Sequence, residues 1–291
     1  MRTFLKGFCI GMLCLSLLGL AWFLVLQPGL TNGEAQALKD EYTVQPLPGA
    51  ESSGEEPAGN EQTGQEQEPK AIVDLPALQA EYPDIKGWIT IPGTCVDYPV
   101  LQSGAQDPEY YLRRTYKGEW RTAGSIFFQW DCSPESRNTV VYGHNMNDGT
   151  MFAVLQKMAD AAFREEHSKI LLQTETGLRE YTIVAVLKTD ISKLSFNRTV
   201  FADDGDFLSF QRELLAQPLY HDPAFIPGAD HRLLTLVTCS YEWDNARTVV
   251  VAVQKRGEHE PMEPKAIIVI VLCAVILGGL VFLHIRNRRK K

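Results

Sequence analysis

Two runs without a charged residue bracket this chain and limit what can lie between them. Gly7–Leu26 and Ala266–Leu283 carry no Asp, Glu, Lys or Arg. They run to 20 and 18 residues, close to the roughly 20 apolar residues a helix needs to cross a bilayer. Arg2 and Lys6 precede the first run; His284, Arg286, Arg288, Arg289, Lys290 and Lys291 follow the second. Basic flanks favour the cytoplasmic side, so both charge patterns place the two ends inside and residues 27–265 outside. The first run is longer than the core of a cleaved signal peptide, and the A-x-A-like Ala35-Gln36-Ala37 lies well beyond it. The second has no polar face, which argues against a buried core helix. The expectation is a two-pass protein of the cell membrane: residues 1–6 cytoplasmic, a span at 7–26, an extracellular portion, a span at 266–283, and a basic cytoplasmic tail at 284–291.

The net charge of −8 understates the acidity of the outer portion, because much of the basic charge sits in the tails. Such a surface argues against nucleic-acid binding. Cys9, Cys14 and Cys273 fall in the apolar runs and read as small hydrophobes there. Cys95, Cys132 and Cys239 remain outside. An odd number leaves at least one thiol unpaired in a compartment that permits disulfides, and catalysis is one use for it. Residues 27–70 are rich in Gly, Pro, Glu, Gln and Ser, too poor in bulky apolar groups to offset the entropy of ordering. They read as a disordered acidic stalk, which if extended could reach on the order of 100 Å from the bilayer.

The folded domain is placed at 71–256, with 257–265 as a polar linker. Asp74 followed by Leu-Pro predicts a short capped helix. Strands are expected at Gly87–Ile91 and Val96–Leu101 around Pro92-Gly93, then at Gly124–Gln129 and Thr139–Tyr142. Asp107–Leu112, Thr150–Met158 and Asp160–His167 read as short helices, and Lys169–Thr174 with Glu180–Lys188 as a hairpin. Phe207–Ala216 has the 3.6-residue apolar period of a surface helix. The last hairpin pairs Leu233–Cys239 with Thr248–Lys255 across the polar loop Ser240–Arg247. About eight short strands at turn-rich spacing predict a mainly β domain, a closed eight-stranded barrel with peripheral helices, flanked by the two transmembrane helices.

Three residues carry potential chemistry. In the closing hairpin Cys239 and Arg247 stand roughly opposite one another, and opposed Cβ atoms lie about 4.5–5.5 Å apart. In Asn138–Phe152 (NTVVYGHNMNDGTMF) a short strand delivers His144 into a Gly/Asn/Asp-rich turn. A nucleophilic thiol must be a thiolate, which neighbouring His and Arg side chains stabilise. Imidazole then serves as acid or base near neutral pH, and a guanidinium or backbone N–H can meet a developing oxyanion. The set is complete for covalent catalysis on a carbonyl and needs no cofactor or metal. Each residue also has a plainer reading: a strand-end Cys as a small hydrophobe, a His as a turn residue, an Arg as a solvated charge.

The longer strings settle that choice by resemblance. TLVTCSYEWDNARTVVVA closely resembles the TLxTC…R signature of sortases, and VVYGHNMNDGTMF the histidine segment of class B sortases. GWITIPGTCVDYPVLQ and GSIFF extend the resemblance over residues 71–256. It implies an eight-stranded sortase barrel and a cysteine transpeptidase of a Gram-positive cell surface. The substrates implied are surface proteins with a C-terminal sorting signal of LPXTG or NPQTN type. The acceptor implied is an amine of the cell-wall precursor (lipid II) or of a pilin. Carried over by position, Cys239 is the nucleophile, His144 the general acid, and Arg247 the holder of substrate backbone and oxyanion. Tyr142, Thr238 and Asn145 are candidates for substrate contact.

Two positions depart from the pattern. Val237 stands where class B members often have Ser, and Ser240 leaves no acidic residue directly after the nucleophile. The second apolar run is also atypical of class B, and resembles instead the C-terminal helix of pilin-polymerising sortases. Their Asp-Pro lid motif is not evident before the barrel, since Asp107-Pro108 lies inside the domain. A pilin polymerase, and an idle peptide-binding membrane protein that retains the barrel, are therefore the rival readings. His167, His221, His231 and His259 show no metal-ligand spacing, and Asp203, Asp204 and Asp206 read as the start of the following helix. Whether Cys95 and Cys132 pair is left open by the sequence.

Overall fold

A computed structural model describes residues 11–17, 19, 27–43, 71–133, 135–190, 192–239 and 245–254. Eight strands close into a barrel: β1 (Ile85–Thr90), β2 (Asp97–Leu101), β3 (Ile126–Phe128), β4 (Asn138–Tyr142), β5 (Lys169–Thr174), β6 (Gly177–Thr189), β8 (Leu233–Cys239) and β9 (Arg247–Gln254). The two-residue β7 (Tyr220–His221) is an addition to this ring. Around the barrel the order is β5-β1-β2-β3-β4-β8-β9-β6, and β6 closes it by pairing with β5. β6 is long enough to serve twice on one edge. Its first half faces β5, with Tyr181 opposite Ile170, and its second half faces β7, with Ala185 opposite His221.

The central strands read as unbroken apolar runs for a structural reason. β4 and β8 run parallel, side by side, and every residue of β8 from Leu233 to Thr238 is buried. A strand covered on both faces has no solvent side to alternate towards. Gly87 is required in β1, because a Cβ there would stand 2.6 Å from the Gln173 carbonyl oxygen of β5.

Four α-helices lie on the described part of the barrel: α1 (Gln27–Glu41), α2 (Leu75–Glu81), α3 (Ala161–Glu166) and α4 (Asp204–Leu214). Asp74 caps α2 as expected, accepting from Ala77 N at 3.1 Å. Asp203 caps α4, accepting from Asp206 N at 2.8 Å, so the acidic cluster there is a helix start. Two expected helices are 3₁₀ turns, Tyr110–Arg113 and Ala153–Ala159.

The largest departure from the sequence reading is α1. Residues 27–41 are not a disordered stalk but a helix seated on the barrel. Thr31, Ala35 and Leu38 are buried along one stripe, spaced as the neighbours of a helical face must be. Lys39 pairs with Asp97, and Tyr42 Oη donates to Glu81 at 2.6 Å. Composition missed it because Leu38 is the one bulky apolar residue of the stripe, beside Thr31 and Ala35, and the burial of all three depends on what the barrel offers. The chain re-enters beside its exit: Asp74 N donates to the Tyr42 carbonyl at 2.7 Å. Residues 44–70, the linker at 257–265, the second apolar run and the tail lie outside the described residues. Of the first apolar run, 11–17 and 19 are helical. Among the described residues no helix is long and apolar enough to cross a membrane.

Candidate active site

Strand register brings the three candidate residues together. Tyr142, the last residue of β4, lies beside Val237 of β8, and Gly143 N prolongs that ladder to the Val237 carbonyl at 3.1 Å. His144 and Cys239 each follow this pair by two residues, so both emerge from the same end of neighbouring strands. Cys239 is opposite Arg247 on the other side, as the hairpin predicted. Neighbouring strands are roughly 4.7–4.9 Å apart. The nucleophile candidate thus stands between the strands that deliver the imidazole and the guanidinium. All three line one cleft of about 430 Å³, with Tyr142, Val237 and Thr238 in the same lining.

The turn that presents His144 depends on a missing side chain. A Cβ at Gly143 would come within 2.4 Å of Ile126 Cδ1 and 2.7 Å of Phe152 Cγ. The Phe152 ring therefore packs against bare backbone, and Phe152 N ties the turn by donating to the His144 carbonyl at 2.9 Å. His144 Nε2 lies 2.7 Å from the Leu112 carbonyl oxygen. A carbonyl only accepts, so Nε2 carries the proton, and in the neutral ring Nδ1 bears the lone pair. Burial lowers the His144 pKa below its usual value, and the nearby Arg113 charge acts the same way against the raising effect of the Leu112 bond.

Arg247 Nη1 donates to the adjacent Ala246 carbonyl at 2.9 Å. A guanidinium has five N–H donors, so this bond fixes the group and leaves it able to meet an anion. Tyr142 Oη donates to Gln129 Oε1 at 2.9 Å. Burial raises its pKa to about 12, which keeps the phenol neutral. Gln129 Nε2 donates in turn to the Asn197 carbonyl at 3.0 Å, so this wall of the cleft is a hydrogen-bonded network. The opposite character comes from Pro108, Leu112, Phe127 and Trp130.

Asn145, expected at the substrate, does not line the cleft; it forms a β-bridge with Met151 at the neck of the turn. Ser240 lies outside the described residues. Sequence reasoning missed the Leu112 carbonyl, since any residue type supplies one. It also missed Gln156, whose Nε2 donates to the Cys239 carbonyl at 3.0 Å from the 3₁₀ turn packed beneath β8 and β9. Cys95 and Cys132 are both free thiols, one exposed and one buried, and burial pushes the Cys132 thiol up to about 12. That leaves Cys239 as the thiol of the cleft. Among the described residues no group of three or more His, Cys, Asp or Glu side chains could hold a metal ion.

A sortase-domain profile matches residues 89–255. The chain is 39% identical over 175 residues to sortase B of Listeria monocytogenes, an alignment covering 59% of this chain and 69% of that protein. It is 34% identical over 173 residues to sortase B of Staphylococcus aureus, covering 58% and 69%. Among solved structures, sortase B of Bacillus anthracis superposes with a TM-score of 0.64 at 28% identity, covering 79% of this chain and 99% of that one. A substrate complex of S. aureus sortase B superposes with a TM-score of 0.57 at 30% identity, covering 62% and 84%.

Proposed function

The chain belongs to the sortase family, as a transpeptidase of the sortase B type, and from that premise we propose that Cys239, His144 and Arg247 carry out its chemistry. The observation that carries this reading is their convergence, from the ends of three adjacent strands, on one cleft. His144 Nδ1, which bears the lone pair, takes the Cys239 thiol proton, and the thiolate attacks the carbonyl carbon of the Thr in a C-terminal sorting signal of LPXTG or NPXTN type. Arg247 compensates the oxyanion that develops, a role worth most in a partly dehydrated site. As the C–N bond breaks, His144 gives its Nδ1 proton to the leaving amine, and a thioester to Cys239 remains. An incoming amine, from the cell-wall precursor or a pilin lysine, then attacks the thioester. His144 takes the proton back and the thiolate leaves. Tyr142 and Thr238 contact the bound peptide.

The two charge-free runs and their basic flanks support a protein held in the cell membrane by two spans, with its barrel on the outer face. The test is incubation of the full-length protein with fluorogenic peptides spanning LPXTG-like and NPXTN-like sequences, with and without amine acceptors, beside Cys239→Ala. Cleavage after Thr that is abolished by Cys239→Ala is the expected result, and the preferred acceptor distinguishes wall anchoring from pilin joining. Binding of a peptide without cleavage would replace this reading with that of an idle peptide-binding protein.

A further inference from the structure

The helix that follows the first apolar run reaches both supports of His144. Its Thr31, Glu34 and Ala35 line a small cavity of about 30 Å³ against Tyr98, Arg121 and Met151 of the barrel. Two hydrogen-bonded lines leave α1 across that contact.

The first line runs to the turn. Tyr98 Oη donates to Asn32 Oδ1 at 2.5 Å and accepts from Met151 N at 3.2 Å. Met151 holds a left-handed backbone, φ +55°, without being glycine. Such a conformation persists only where its surroundings over-determine it. It sits at the neck of the His144 turn, bridged to Asn145 and followed by the Phe152 N–H that binds the His144 carbonyl. The second line runs to the partner of the ring. Glu34 forms a bidentate pair with Arg121, one of the bonds being 2.9 Å from Nη2 to Oε1. Arg121 N donates to the Arg113 carbonyl at 2.9 Å, and Gly124 N to the Arg121 carbonyl at 3.0 Å. Gly124, φ +56°, lies so close beneath the Leu112 carbonyl that a Cβ there would stand 2.3 Å from its oxygen. That oxygen is the acceptor of His144 Nε2.

We propose that α1 is a positioning element of the active site. Asn32 and Glu34 hold, through Tyr98 and Arg121, the turn that carries His144 and the carbonyl that fixes its tautomer. The inference rests on the reading of His144 as the proton-transfer group. It makes the segment joining barrel to membrane run a condition of catalytic competence, not a passive tether. Arg121 is the stronger link, because a bidentate guanidinium–carboxylate pair fixes orientation as well as distance.

The test uses the full-length protein with Asn32→Ala, Glu34→Gln, and the charge exchange Glu34→Arg with Arg121→Glu. Three quantities are measured: kcat and KM for the cleaved peptide, melting temperature, and the pH dependence of diethyl pyrocarbonate modification of His144, read by mass spectrometry. The single variants are expected to lower kcat by roughly 2- to 30-fold, the range of coupling through packed networks, with KM little changed. They also move the titration of His144: upward in Asn32→Ala, where a loosened turn relieves the burial of the ring, and downward in Glu34→Gln, where a displaced Leu112 carbonyl no longer favours the charged form. The charge exchange recovers part of the loss of Glu34→Gln. A fall in melting temperature with kcat and the His144 titration unchanged would overturn the proposal by reducing α1 to a stabilising helix. The modification assay needs no substrate, so it decides the proposal even if no sorting peptide is cut and the transpeptidase reading fails.

Discussion

At the scale of single residues, the site is governed by what surrounds His144 more than by its own chemistry. A lowered imidazole pKa in the folded state has a consequence for stability. Below about pH 6.5 the unfolded chain takes up a proton at this position more readily than the folded chain does, so stability attributable to His144 is lost as pH falls. It is fully present above the ordinary value and declines through the lowered one. His144→Gln removes this dependence. Urea denaturation of the two proteins at pH 7.5 and pH 5 is expected to show the wild type losing more stability on acidification than the variant. Parallel losses would mean that the ring is not held neutral by its burial. Of the site, the sequence made three residue types and their strands legible. It could not reveal the Leu112 carbonyl, because a backbone acceptor carries no residue signature, nor the return of Asn145 to Met151, because a turn's internal pairing is invisible in its composition.

At the scale of elements, strands and capped helices were readable and α1 was not. β8 and β9 announce themselves by apolar runs, and α2 by its capping Asp. Asp74 caps by a local bond three residues on, which is why sequence alone finds it. The face of α1 instead owes its burial to distant partners: Tyr98, Asp97 and Arg121 lie far along the chain. Leu38 is the test of that docking. It is 3% exposed and joins the core cluster of Leu75, Leu78, Ile85 and Trp88. Leu38→Ala is expected to lower the unfolding free energy by about 2–5 kcal/mol, the usual cost of emptying a buried leucine site. In a solvated stalk the same substitution would cost almost nothing, so an unchanged denaturation midpoint would refute the docked position.

At the scale of the whole molecule, the acidic segment changes role. With α1 packed on the barrel and Asp74 N bound to the Tyr42 carbonyl, residues 44–70 connect two points that already touch. Removing half of them is expected to leave stability unchanged or raise it by about 0.6 kcal/mol, the entropy recovered on halving a loop. Activity on peptides is expected to be unchanged. A deletion that destabilised the barrel would show that the segment contributes contacts of its own.

What the sequence determined by itself is local or periodic: strand runs, caps, the hairpin that opposes Cys239 to Arg247, and the strings shared with sortases. These survive because their causes lie within a few residues of one another. Tertiary structure decided the rest. It chose the parallel pairing of β4 with β8 that sets His144 beside Cys239, the carbonyl that selects the imidazole tautomer, and the seating of α1. Each is an encounter between segments far apart in the chain, whose energy depends on the shape and charge of a partner that neither segment encodes alone.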